Sequence, residues 1–265
     1  MHPILGLVEL GPFARVLPSY GVMLSVALLV GGTLTVRGAA RAGIDPFLTI
    51  SAIALAVGGG IAGSYALFVV VEWVRTGSPW QALETGGLVF YGGLLGGGAA
   101  LAIGAPRLCL RLPALADVAV PGVAAAHALG RIGCFLAGCC YGRPWDGPVA
   151  VTFTDALAPA AHPSVPRHPV QLYESGALFA LALAFTLLPA RVPALRVGRG
   201  RRALAYVAAY AVLRLAMEGF RGDAIRGVIF GVVSTSQLLA LLMLAAALAG
   251  LVVTRDRAPA ASRSA

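Results

Sequence analysis

The feature that most constrains this chain is a succession of apolar stretches, each about as long as a membrane-spanning helix. Hydrophobic residues make up 58% of the 265 residues and charged residues only 12%. A soluble domain of this length has no core large enough to hold so much apolar surface. A hydrocarbon layer of roughly 30 Å takes about 20 helical residues to cross. We therefore predict an all-α polytopic membrane protein, a single integral domain over residues 1–265.

About seven transmembrane helices are expected from the apolar runs. The predicted helices cover residues 19–37, 47–74, 86–105, 114–137, 171–189, 203–220 and 229–254. The second is overlong, and we expect it to tilt or to break at Gly58, Gly59 and Gly60. Gly59 and Gly63, like Gly92 and Gly96, have the small-xxx-small spacing that lets two helix backbones approach closely.

The positive charges lie between the apolar runs. The net charge is +9, and every one of the 20 basic residues is arginine. Alternate connections place 12 arginines on one side of the membrane and 6 on the other. By the positive-inside rule the N-terminus lies outside, residues 138–170 form a loop on the outer face, and residues 255–265 form a cytoplasmic tail. This distribution suits anionic lipid headgroups, and it does not indicate a partner among nucleic acids.

The sixth predicted helix contains three polar residues on one face. Tyr210, Arg214 and Glu218 are four residues apart, and Arg221 continues the same stripe. Ionisable groups inside a span are costly and usually functional, which favours binding of a lipid headgroup. The alternative is that Arg214 and Glu218 form an internal pair that only ties helices together.

The fourth predicted helix supplies a second buried cation. Arg131 follows His127 by one helical turn, and Cys134 follows three residues later. Two arginines on different helices can bind one phosphate through charge-assisted, partly bidentate hydrogen bonds. Glu174, near the start of the fifth helix, is either part of this site or only a favourable partner of the helix dipole. His168, just before that helix, is interpreted as structural.

Several motifs together resemble the prolipoprotein diacylglyceryl transferase family. They occur in the order of the family across about 220 residues. The matching segments are Ser19-Tyr20-Gly21, Phe90-Tyr91-Gly92-Gly93, Gly130-Arg131-Ile132-Gly133 through Gly142-Arg143, Arg167-His168-Pro169 through Tyr173-Glu174, Tyr210 through Arg221, and Ser234-Thr235-Ser236-Gln237.

The resemblance implies a multi-pass enzyme of the bacterial inner membrane. Its donor would be a phospholipid, phosphatidylglycerol, and its acceptor the lipobox cysteine in the signal peptide of a preprolipoprotein. The diacylglyceryl unit would become a thioether on that cysteine, glycerol phosphate would leave, and no metal or organic cofactor is required. Arg131 and Arg214 fall on the two essential arginines of the family, and we expect them to stabilise charge on the phosphate. The expected substrate-binding residues are Tyr20, Tyr210, Glu218, Arg221, Gly142 and Cys134.

The chain departs from the family at the residues that would handle protons. Tyr91 occupies the position of a histidine proposed to help activate the thiol, Cys134 replaces an asparagine, and Cys139 replaces an acid. A phenol with a pKa near 10 is a poor base at neutral pH, so we expect Tyr91 only to hydrogen-bond the headgroup. His127 is the best local candidate for the general base. The alternative is that His127 only hydrogen-bonds a neighbouring helix.

The cysteines allow other interpretations. Cys134 could form a disulfide with Cys139 or Cys140 on an oxidising face, or the three could bind a metal ion with His127. Two other functions also fit the sequence. The first is a diverged paralogue that modifies a different acceptor. The second is a lipid or solute transporter, because intramembrane arginine and glutamate also mark transport paths.

Overall fold

The computed structural model describes residues 3–10, 13–80, 83, 87–158, 160, 165–222, 228–229 and 233–256. This part of the chain contains seven α-helices and two short β-hairpins. The helices are α1 (Ser19–Arg41), α2 (Pro46–Thr76), α3 (Phe90–Arg107), α4 (Leu112–Ala137), α5 (Val170–Arg191), α6 (Arg201–Glu218) and α7 (Thr235–Asp256). Five of them, α1, α2, α4, α5 and α7, are long and apolar enough to cross a membrane. The prediction of a helical, multi-pass membrane protein is therefore confirmed, whereas the count of seven spans and the orientation of the termini stay predictions.

The seventh helix starts later than we predicted. The predicted start at residue 229 was wrong, because Val228–Ile229 (β3) pairs antiparallel with Val233–Ser234 (β4). Ser234 then caps α7: its hydroxyl accepts from the Gln237 backbone N–H at 3.1 Å. The Gln237 side-chain oxygen accepts in return from the Ser234 N–H at 3.0 Å. This reciprocal capping box fixes the start of the helix.

An antiparallel hairpin precedes the first helix, and the sequence analysis did not predict it. Ile4–Leu10 (β1) pairs with Phe13–Pro18 (β2), which leads directly into α1. The buried Ser19 joins the two elements, since its backbone N–H and its hydroxyl both donate to the Pro3 carbonyl, at 2.9 and 3.1 Å.

Helix α4 is the centre of the bundle. It packs against α1 on one side and against α5 and α6 on another. An apolar cluster of α4, α5 and α6 is built from Val120, Ala124, Ala125, Ala182, Phe185 and Tyr206. On the α1 side, a side chain at Gly31 would place its Cβ 2.8 Å from the Gly122 carbonyl oxygen. The two helices can approach this closely only because both positions are glycine.

Helices α2 and α3 form a second closely packed pair. A Cβ at Gly59 would lie 2.8 Å from the Gly96 carbonyl oxygen, and Gly63 and Gly92 are in equally close backbone contact. The predicted small-xxx-small contact is thus present. Helix α2 continues without interruption through Gly58–Gly60, so the expected break there is absent.

A buried aspartate fixes the start of α6. The Asp117 carboxylate, fully buried on α4, accepts from the backbone N–H groups of Gly198, Gly200 and Ala203 at 3.0, 2.8 and 3.0 Å. Its charge also lies at the positive end of the α6 dipole. Asp117 on α4 therefore caps the N-terminus of α6, and it sets the position of α6 against α4.

Candidate active site

Two ion pairs lie at the ends of α4, α5 and α6 that face residues 138–169. The first joins Arg131 on α4 to Glu174 on α5, with 3.0 Å between Nη2 and Oε1. The Glu174 side chain is 1% exposed and that of Arg131 15% exposed. Glu174 is therefore a buried partner of Arg131 and does more than complement the α5 dipole.

The second ion pair lies within α6 and is tied to α7. Arg214 Nη1 lies 3.2 Å from Glu218 Oε2, one helical turn away. Arg214 Nη2 donates to the Ser236 hydroxyl at 2.8 Å. The internal pair considered from the sequence is thus present, and Ser236 adds a contact between helices that holds the guanidinium in one orientation.

His127 and Tyr210 lie between the two ion pairs. The His127 ring centroid is 5.1 Å from that of Tyr210, and its Nε2 is 4.0 Å from Glu174 Oε1. Arg131 and Arg214 both interact electrostatically with His127 and with the Tyr210 hydroxyl. The helical spacing predicted which residues share a face, and the packing of α4 against α6 brings the two faces together.

Arg131 retains an unused donor. Its Nε is buried and has no hydrogen-bond partner among the described residues. A buried donor without a partner costs roughly 1–3 kcal/mol, and more for a charged group. The Arg131 guanidinium, which the Glu174 carboxylate already orients, can therefore also bind a ligand with an acceptor oxygen, such as a phosphate.

Three cysteines gather at the end of α4. The Sγ atoms of Cys134, Cys139 and Cys140 all lie within 4.8 Å of one another, and all three residues are free thiols. His127 is not a member of this group. Tyr20 on α1 lies beside it, interacting electrostatically with the three cysteines and with Arg131.

The loop after α4 is fixed to the segment after α6. Gly142 forms a β-bridge with Arg221, flanked by hydrogen bonds from Arg143 N–H to the Phe220 carbonyl and from Gly222 N–H to the Tyr141 carbonyl. Gly142 is buried, and a Cβ there would lie 2.7 Å from the Cβ of His168. A glycine is thus required for this approach, which brings Arg221 close enough to interact electrostatically with Cys140.

The segment before α5 packs under the same loop. His168 stacks on Trp145, with ring centroids 4.2 Å apart, and Arg167 lies 4.7 Å above the Tyr141 ring. Burial, with a contribution from Arg143, lowers the pKa of His168 and so favours the neutral ring. These contacts agree with a structural role for His168.

Tyr91 lies on a helix that contributes no residue to the two ion pairs. It lies in the first turn of α3, a helix that packs chiefly on α2, and it is 42% exposed. Tyr20 is exposed to the same extent. Their predicted roles in headgroup binding stay predictions.

Sequence reasoning did not identify the contacts that three site residues make. Glu174 and Ser236 stood inside recognised motifs, but nothing in the sequence paired them with Arg131 and Arg214. The third is Gln171, whose amide nitrogen donates to the Cys139 carbonyl at 2.7 Å. Residues 257–265, most of the predicted tail, and Arg226 lie outside the described residues.

Comparison with known proteins identifies the family. The family model described as prolipoprotein diacylglyceryl transferase matches residues 6–253. A relative from Clostridium tetani named phosphatidylglycerol–prolipoprotein diacylglyceryl transferase is 34% identical over 224 residues, 84% of this chain and 87% of the relative. One from Clostridium perfringens is 31% identical over 230 residues, covering 85% and 86% of the two chains. A relative from Synechococcus elongatus is 31% identical over 252 residues, covering 93% and 86%.

Proposed function

This chain belongs to the prolipoprotein diacylglyceryl transferase family, and from that premise we propose that it transfers the diacylglyceryl group of phosphatidylglycerol to the cysteine thiol of prolipoproteins. The relatives carry that activity in their names, and the match covers most of both chains. The acceptor cysteine would be that of the lipobox in the signal peptide.

The observation that supports this function best is the pair of buried arginines on facing helices. Arg131 and Arg214 each have a carboxylate partner that fixes the guanidinium, and both lie around His127 and Tyr210. The unpartnered Nε of Arg131 can donate to a phosphate oxygen. Because the carboxylates hold the guanidinium groups in place beforehand, little reorganisation is needed when the headgroup binds.

The transfer proceeds by displacement at the glyceryl carbon. The acceptor sulfur forms a bond to the carbon that carries the phosphate ester, and the carbon–oxygen bond to phosphate breaks. Glycerol phosphate leaves with the electron pair, and Arg131 and Arg214 stabilise its growing negative charge. The thiol proton passes to a base, for which His127 is the candidate. The product is a thioether.

Other side chains would position the substrates. Tyr210 and Glu218 orient the headgroup from α6, and Tyr20, Tyr91 and Arg221 contact it from the periphery. Gly142 and Cys134 shape the adjoining surface. Every one of these roles is a proposal that rests on place in the fold and on the family motifs.

We propose that the chain crosses the bacterial inner membrane seven times, with its N-terminus outside. The arginine distribution supports this orientation. It places the loop 138–170 and the two ion pairs at the periplasmic side, where translocated signal peptides arrive. No observation on the described residues favours the transporter alternative, and the names of the relatives argue against it.

The test is a transfer assay on conservative variants. Arg131→Lys and Arg214→Lys keep the charge but lose the planar fork, so we expect transfer to fall by at least about 100-fold. The matched control is Arg199→Lys, an exposed residue of the loop before α6, which should transfer at the normal rate. Normal transfer by both buried-site variants, at equal amounts of folded protein, would contradict the phosphate-binding role.

A further inference from the structure

The three cysteines at the end of α4 form a group to which the transfer mechanism above assigns no chemical step. Their sulfur atoms lie within 4.8 Å of one another. Around a zinc ion with bonds of about 2.3 Å to sulfur, ligand atoms are separated by roughly 3.8–4.0 Å. Small side-chain rotations are therefore enough to bring all three sulfurs to one ion.

The backbone holds these cysteines in place. Gly138 ends α4 in the left-handed conformation at φ 71°, and the Cys139 N–H donates to the Cys134 carbonyl at 3.1 Å. Gln171 from α5 fixes the Cys139 carbonyl. Cys140 adopts a φ of 57°, in the left-handed region, which fixes the direction of its side chain relative to Cys139.

The local charge also suits a metal bound by thiolates. A divalent ion with three thiolates carries a net charge of −1, and Arg131 and Arg221 both interact electrostatically with Cys140. No histidine, aspartate or glutamate of the described residues joins the three sulfurs, so a tetrahedral ion would keep its fourth position open. Open positions are typical of catalytic zinc sites and atypical of structural ones.

We propose that Cys134, Cys139 and Cys140 bind a thiophilic metal ion of the Zn²⁺ class, whose fourth position takes the acceptor cysteine. This assignment rests on the proposed function, in which the acceptor is itself a thiol. On coordination the acceptor S–H loses its proton to the general base, and its sulfur bonds to the ion as a thiolate. The thiolate sulfur then leaves the ion as it forms the bond to the glyceryl carbon, while the carbon–oxygen bond to phosphate breaks and glycerol phosphate departs with the electron pair. The thiol would thus be activated next to Arg131. The family histidine proposed to help activate the thiol is replaced in this chain by Tyr91.

The experiment uses the full chain purified in detergent, with Zn²⁺ as the probe and Co²⁺ as its spectroscopic substitute. We expect one ion per chain and a sulfur-to-cobalt charge-transfer band. Cys134→Ser, Cys139→Ser and Cys140→Ser should each weaken zinc binding by more than roughly 10- to 100-fold, which is the cost of losing a supporting hydrogen bond at a metal site. The matched control is Cys109→Ser, because Cys109 is an exposed thiol outside the group and its loss should change nothing.

Two further measurements complete the test. A lipobox peptide with cysteine should shift the cobalt spectrum, while the same peptide with serine in its place should not. Equal spectra with the two peptides would contradict the claim that the fourth coordination position takes the acceptor cysteine. Zinc binding no tighter in the wild type than in the triple-serine variant, or a disulfide among the three thiols of active protein, would overturn the metal site. A wild type that transfers without binding zinc contradicts the metal site alone. A wild type that binds zinc without transferring contradicts only the proposed function.

Discussion

The Arg131–Glu174 pair gives the sharpest prediction about the site. Glu174→Gln keeps the size of the side chain but removes the charge that balances a guanidinium only 15% exposed. Removing one partner of a buried ion pair typically costs about 3–5 kcal/mol, and we expect the lower end because glutamine still offers an acceptor oxygen. At roughly 2–4 °C per kcal/mol for a chain of this size, the midpoint of thermal unfolding should fall by about 6–12 °C.

The activity of the same variant should fall at temperatures where it remains folded, because Arg131 loses the group that orients it. The assay is diacylglyceryl transfer in detergent, normalised to folded protein. The control is Glu72→Gln, which removes an i,i+3 pair with Arg75. The Glu72 side chain is 7% exposed, but that of Arg75 is 67% exposed, so no buried cation is left behind. That change should affect stability less and leave transfer unaltered. A Glu174→Gln enzyme with wild-type unfolding midpoint and rate would refute the reasoning.

Three other predictions concern the general base, the cap of α6 and the membrane topology. His127→Ala should slow transfer by about 10²–10⁴-fold, the usual contribution of a general base, whereas Tyr91→Phe should lose less; a full rate for His127→Ala across neutral pH would place the base elsewhere. Asp117→Ala strips three backbone N–H groups of their acceptor, so it should destabilise the protein by at least about 2 kcal/mol while the rate per folded molecule is unchanged; a wild-type unfolding midpoint would show that the cap is dispensable. Tags at the two termini should be reached by periplasmic reagents at the N-terminus only, and a protected N-terminus would reverse the topology.

The sequence predicted features that depend on spacing within one element. Arg214 and Glu218 pair because four residues return a helix to the same face, and no tertiary information is needed for that. Likewise, the glycine spacing around Gly59 and Gly92 indicated a close helix contact, although it could not say which helices would meet. The cysteine group was visible because its three members lie within seven residues.

Features that depend on packing between helices could not be predicted. Glu174 pairs with Arg131 only because of how α5 is rotated against α4, and one sequence fixes rotation poorly. The same holds for Ser236 with Arg214. Asp117 serves as a cap for a helix more than 80 residues later, which no local signal reveals. The start of α7 is a different case, because a local signal for it exists in the sequence. The Ser234–Gln237 capping box marks the start of the helix, but the prediction followed the apolar run alone and began the helix too early.

The most direct test of the proposed activity is transfer in liposomes by the purified full chain. The liposomes would contain phosphatidylglycerol labelled in its acyl chains or in its headgroup glycerol, together with a lipobox peptide. We predict that the acyl label moves to the peptide cysteine and stays there in neutral hydroxylamine, which cleaves thioesters but spares the thioether and the glyceryl oxygen esters. The headgroup label should be released as glycerol phosphate. A peptide that stays unlabelled, or one labelled through a hydroxylamine-sensitive thioester, would contradict diacylglyceryl transfer.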